Sequence, residues 1–154
     1  MIARQAGIYR LDPDFVWSVI YEETYFRAWM RGADEEIGLM QITPTVAREW
    51  AKETGFRLLE KRVSEDAAAT LSEPERNIQI GCWYLEKMRE SYRGNPSETA
   101  MSLAAYNAGA SRVSEWSKTP EQAAQMSEQE FINNINIPST KSYVSSILER
   151  YRAN

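Results

Sequence analysis

Between Asp12 and Phe26 the apolar positions recur at helical spacing. At about 100° of rotation per residue, Phe15, Val16, Val19, Ile20 and Phe26 fall within one arc of about 140°. Asp12 is placed as N-cap, Pro13 as the first helical residue and Asp14 as an acidic first-turn neighbour. Glu23 projects into the middle of the apolar arc, Glu22 lies near its edge and Thr24 falls well outside it. A carboxylate on an apolar face either snorkels to solvent or is held there for its proton, because desolvation raises its pKa.

Helical start and stop signals recur along the rest of the chain. Thr43-Pro44 opens a helix that Gly55 closes. Ser72 and Glu75, with capping-box spacing around Pro74, predict a helix to about Arg93 with Gly94 as terminator. Asn95-Pro96 with Glu98 opens another that stops at Gly109. Ser127 with Glu130 caps a short helix, and Pro138 precedes a last one through about Arg150. No stretch alternates in the manner of a strand, so the expected class is all-α, with about six or seven helices and a short irregular ribbon near Arg31 to Ile37. The segment from Arg57 to Leu71 reads as a short helix or a mobile connection. Without repeats or Gly/Ser/Pro-rich linkers, residues 1–154 are expected to form one domain.

Composition narrows the chemistry. The chain has no histidine and one cysteine, Cys82, which excludes His-based catalysis, His or thiolate metal sites and an internal disulfide. A net charge of -4 disfavours nucleic-acid binding, which needs a basic face. No apolar run reaches the roughly 20 residues of a membrane span. Met1 to Tyr9 lacks the apolar stretch of a secretory signal, so the chain is expected to act where it is made or to have lost a leader. What remains is carboxylates, amides, hydroxyls and rings, the groups that sugar-processing sites use.

Four ordered segments stand out: Glu23-Thr24-Tyr25-Phe26, Gly38-Leu39-Met40-Gln41, Asn77-Ile78 with Gly81 and Tyr84-Leu85, and Ala105-Tyr106-Asn107-Ala108-Gly109. Singly, Gly38 relaxes a turn, Gly81 admits a close neighbour and Asn107 to Gly109 forms a helix end. In this order the chain resembles the catalytic domain of soluble lytic murein transglycosylases, from about Gln5 to Tyr151. That family has a lysozyme-like, goose-type helical fold with its helices around a substrate cleft. The resemblance implies Glu23 as the single catalytic acid and Tyr106 as the hydroxyl that hydrogen-bonds it. It implies Gln41 as a sugar-contacting amide, Leu39 and Met40 as the cleft floor, Asn107 as a groove residue, and Thr24 and Tyr143 as further substrate contacts. Thr140 and Tyr143 match the family's last motif.

Three positions depart from the family pattern. Thr24 replaces a serine, Ser139 replaces a glutamate in the last motif, and Gly32 stands where many members have a serine nine residues after the acid. The implied partner is the glycan strand of peptidoglycan, with no metal or cofactor, and the implied location is the periplasm or envelope. The implied reaction is non-hydrolytic cleavage between N-acetylmuramic acid and N-acetylglucosamine. The alternatives are hydrolysis of the same bond, as in goose-type lysozymes, and an idle glycan-binding module; chitin is a further possible polymer. Goose-type enzymes typically have an aspartate two residues after Gly-Leu-Met-Gln, where this chain has Thr43. Trp29, Trp83 and Trp116 are expected in the core rather than on sugar.

Overall fold

Local capping chemistry sets many of the helix boundaries in the computed structural model, which describes all of residues 1–154. Asp12 accepts the Asp14 N–H at 2.9 Å ahead of α2 (Pro13–Thr24), after a short α1 (Ile2–Ile8). Thr43 accepts the Val46 N–H ahead of α3 (Pro44–Thr54), which Gly55 ends at φ 74. There follow α4 (Arg57–Leu71), α5 (Pro74–Ser91), α6 (Glu98–Ala108), α7 (Ala110–Ser117), α8 (Pro120–Gln125), α9 (Glu128–Asn134) and α10 (Pro138–Ala153). The all-α expectation holds, and the ribbon near Arg31 is reduced to two isolated bridges, Arg31 to Ile37 and Ile37 to Ile42.

Ten helices are present where six or seven were expected. The additional ones are short or interrupted. α1 has no side-chain cap, α7 starts at once after Gly109, and α8 has a Thr119–Gln122 capping box in only six residues. Arg57–Leu71 is helical on both sides of a break at Asp66 (φ -154, ψ 87), whose carboxylate accepts the Ala69 N–H at 3.0 Å and restarts the helix. The start of α5 also differs in its chemistry. Glu73, not Ser72, caps it, accepting the N–H groups of Glu75 and Arg76 at 3.1 and 2.7 Å.

α2 ends two residues before the apolar pattern does. Tyr25 and Phe26 both adopt left-handed backbone (φ 51 and 61), so Phe26 leaves the helical arc and is 37% exposed. Ser18 and Thr24 join the buried face instead. Their hydroxyls donate to the carbonyls of Asp14 and Ile20, four residues back, so burying them leaves no polar group unpaired.

Residue contacts group the chain into two units, Met1–Tyr84 and Leu85–Asn154. In the first, α1 packs on α2 and α3 on α4, around Val16, Val19, Ile20, Met40, Ile42, Leu71 and Ile80. In the second, α6 packs on α7, α9 and α10 around Leu85, Leu103, Phe131, Val144 and Ile147. Cys82 is buried, which pushes its thiol up to about 12. No helix is long and apolar enough to cross a membrane.

Phe131 has no exposed surface on α9, the element that touches α6, α7 and α10. Truncation of a fully buried Phe typically costs about 3–5 kcal/mol. Phe131→Ala should lower unfolding free energy by about that amount in urea titration, a large share of a domain's usual stability.

Candidate active site

The last turn of α2 holds Glu23. It projects from the middle of the helix's buried face, yet its side chain is only half-buried, so that face opens to solvent at its C-terminal end. Glu22 is half-buried as well. Directly after Glu23 the chain is fixed in place. Thr24 is fully buried, and its hydroxyl lies 3.0 Å from the Leu39 carbonyl as well as 3.3 Å from that of Ile20. Thr24 was expected as a substrate contact; with no exposed surface it is instead a tether between the acid's helix and the Gly38–Gln41 segment.

That segment is a tight turn. Ile37 and Ile42 exchange two backbone hydrogen bonds at 2.9 and 3.0 Å, and Gln41 N–H donates to the Gly38 carbonyl. Gly38 has φ 76, and a Cβ there would stand 2.5 Å from Asn77 Nδ2 and 2.7 Å from the Leu71 carbonyl. Only glycine meets both constraints. Gln41 is itself left-handed (φ 53) and half-buried, and its side-chain nitrogen donates to the carbonyls of Met30 (3.2 Å) and Gly38 (3.0 Å). The Gln41 amide is therefore rigidly held, with its oxygen end directed away from those carbonyls.

Asn77, on the first turn of α5, organises the turn from below. It is fully buried and uses its whole amide: Nδ2 donates to Ile37 (2.7 Å) and Leu71 (2.8 Å), and Oδ1 accepts the Met40 N–H (2.7 Å). One turn on, Gly81 leaves room for Met40, whose side chain fills the space a Cβ would need. Met40 has no exposed surface, so this expected substrate contact shapes the turn from inside and offers no face to a ligand. Asn77 was legible as a motif residue, but its place beneath the turn comes from two contacts to residues 37 and 40 positions away in the chain.

Tyr106, Asn107 and Tyr143 belong to the second unit. Tyr106 is half-buried on the last turn of α6, and Asn107 next to it is exposed, its carbonyl oxygen accepting the Thr140 hydroxyl at 2.8 Å. Tyr143 is only 7% exposed on α10, so its expected role as a substrate contact gives way to packing. Trp83 and Trp116 are core residues with their indole N–H groups on Glu53 and Asn136. Trp29 departs from the core expectation, being 72% exposed.

The acid's helix is thus tied through Thr24 to a glycine turn that a buried asparagine braces. Residues 1–129 match the transglycosylase SLT domain family. This chain belongs to that family. It is 32% identical over 138 residues to the soluble lytic murein transglycosylase of Escherichia coli K12, covering 90% of this chain and 20% of that protein. With the membrane-bound lytic murein transglycosylase E of Buchnera aphidicola it shares 28% identity, over 99% of this chain and 65% of the other. An inactive mutant of the lytic transglycosylase Slt from Pseudomonas aeruginosa superposes with a TM-score of 0.81 at 27% identity, covering 97% of this chain and 22% of that one. The chain thus spans about a fifth of the Escherichia coli and Pseudomonas proteins.

Asn77→Ala removes three buried hydrogen bonds. The Ile37 carbonyl keeps its bond from the Ile42 N–H, whereas the Leu71 carbonyl and the Met40 N–H lose theirs, at about 1–3 kcal/mol for each buried group left unsatisfied. Loss of at least about 2 kcal/mol in urea unfolding is expected. Asn77→Asp should recover only part of it, since a carboxylate can accept from Met40 N but cannot donate to Ile37 and Leu71.

Proposed function

We propose that the chain cleaves the β-1,4 bond between N-acetylmuramic acid and N-acetylglucosamine in peptidoglycan without water. Glu23 protonates the glycosidic oxygen, and the 2-acetamido group or an oxocarbenium-like state carries the positive charge at C1. The ionised Glu23 then takes the proton of the muramoyl C6 hydroxyl, which closes on C1 to give a 1,6-anhydro product. One carboxyl acts as acid and then as base. Gln41 contacts the sugar, and Asn107 and Tyr106 keep the roles that the family resemblance gives them.

The observation that carries this reading is Glu23 itself, half-buried at the open end of an otherwise buried face, in a chain matching the family over residues 1–129. The relatives named above are murein transglycosylases, both soluble and membrane-bound, which supports action at the cell wall. The hydrolytic reading lacks a carboxylate at position 43: Thr43 caps α3, its hydroxyl engaged by the Val46 N–H.

Glu23→Gln should lower the rate of strand cleavage by roughly a hundredfold to ten-thousandfold, the usual worth of a positioned acid. Mass spectrometry of the parent's digest should show anhydro-muropeptides. Products carrying only reducing ends would replace transglycosylation with hydrolysis, and a Glu23→Gln variant as fast as the parent would remove the acid from the mechanism.

A further inference from the structure

The turn between Glu23 and Gln41 brings in a second carboxylate that neither the family pattern nor the reaction above uses. Asp34 and Glu35 are exposed, but Glu36 is half-buried and folds back over Gly32. Its Oε2 and Cδ fill the space where any side chain at position 32 would begin. Gln41 Oε1 stands 2.8 Å from that same point. The fold-back is held at two places: Gly32 N–H donates to the Glu36 carbonyl at 2.9 Å, and Asp34 N–H donates to Oε2 at 3.0 Å.

Two oxygens therefore converge over Gly32. The orientation of the Gln41 amide is settled by its nitrogen, which donates to two backbone carbonyls and leaves the oxygen for the other side. Glu36, ionised, accepts only. No donor of the chain bridges the two, so a ligand seated there must bring an N–H or an O–H.

We propose that Glu36 and Gln41 form an acceptor pair for the acetamido N–H of the sugar whose C1 reacts. This rests on the acid role of Glu23 given above. Held by its N–H, the acetamido group turns its carbonyl oxygen toward C1. As the glycosidic C1–O bond breaks, its electron pair leaves with the oxygen, which takes the Glu23 proton, and the carbonyl oxygen forms the new bond to C1. When O6 attacks C1 and that bond breaks, its electron pair returns to the acetamido group and the proton of the C6 hydroxyl passes to Glu23. Glu36 neither gains nor loses a proton. Its fixed negative charge stabilises the cationic ring formed in between.

The test uses the full chain on peptidoglycan strands, with kcat and KM measured separately. Glu36→Gln keeps an oxygen for the Asp34 N–H but loses the charge, and kcat should fall roughly tenfold with KM and melting temperature little changed. Glu36→Ala, which removes the oxygen as well as the charge, should lose more. Parent-like kcat in both single variants overturns the proposal. So does an activity loss that follows melting temperature. Reducing-end products that vanish in Glu36→Gln would make the residue a water-activating base and overturn the acceptor role. Glu23→Gln, assayed alongside, separates the two readings: if it is active, the acid assignment has failed, whereas an inert Glu23→Gln with parent-like Glu36 variants removes only the role given to Glu36.

Discussion

The three hydrogen bonds of the buried Asn77 amide are the constraint on which the site turn depends. They join α5 to Ile37 and Met40 of the turn and to Leu71 at the end of α4. A fully buried amide is tolerated only when each of its groups is matched, and here every group is. The match also specifies position, because any slip of the turn would break several bonds at once. Gly38 follows from it: the carbonyl and amide packed against its Cα leave no room for a side chain.

Four residues of this region other than glycine hold left-handed backbone: Tyr25, Phe26, Glu35 and Gln41. Each such conformation costs on the order of 1 kcal/mol and lasts only where its surroundings impose it. The imposing contacts can be named. Thr24 ties the end of α2 to Leu39, Arg27 Nε caps the Thr24 carbonyl at 2.9 Å, and the Gln41 amide closes on Met30 and Gly38. A chain reversal immediately after an acid, braced in this way, ties the acid's helix end to the turn that carries Gln41. Rigidity matters wherever a reacting group must be positioned, since displacement by an ångström costs much of its effect on rate.

The division of labour among the motif residues is correspondingly uneven. Glu23, Gln41, Tyr106 and Asn107 retain surface, whereas Thr24, Met40, Asn77 and Tyr143 are buried. A motif read along the chain treats all eight alike. Burial separates those able to meet a ligand from those that hold the others in place, and it explains why a hydroxyl suffices at position 24, where the side chain has only to reach a carbonyl.

Sequence alone determined the helical class, many of the capped helix starts and the position of Glu23 on its helix. These depend on interactions within three or four residues, such as Asp12 with Asp14, Thr43 with Val46 and Ser127 with Glu130. It missed the early end of α2, because the apolar pattern carries through Phe26 while the reversal is imposed by Leu39, fifteen residues away. It could not tell that Arg57–Leu71 is helical on both sides of a break, that Glu73 and not Ser72 caps α5, or that Thr24 faces inward. The fold-back of Glu36 was equally hidden, since it depends on the turn that sets Gly32 beside Gln41. Short-range hydrogen bonding and periodicity are written in the order of residues. Which side of a turn is covered, and by what, is decided only when distant segments compete for the same space.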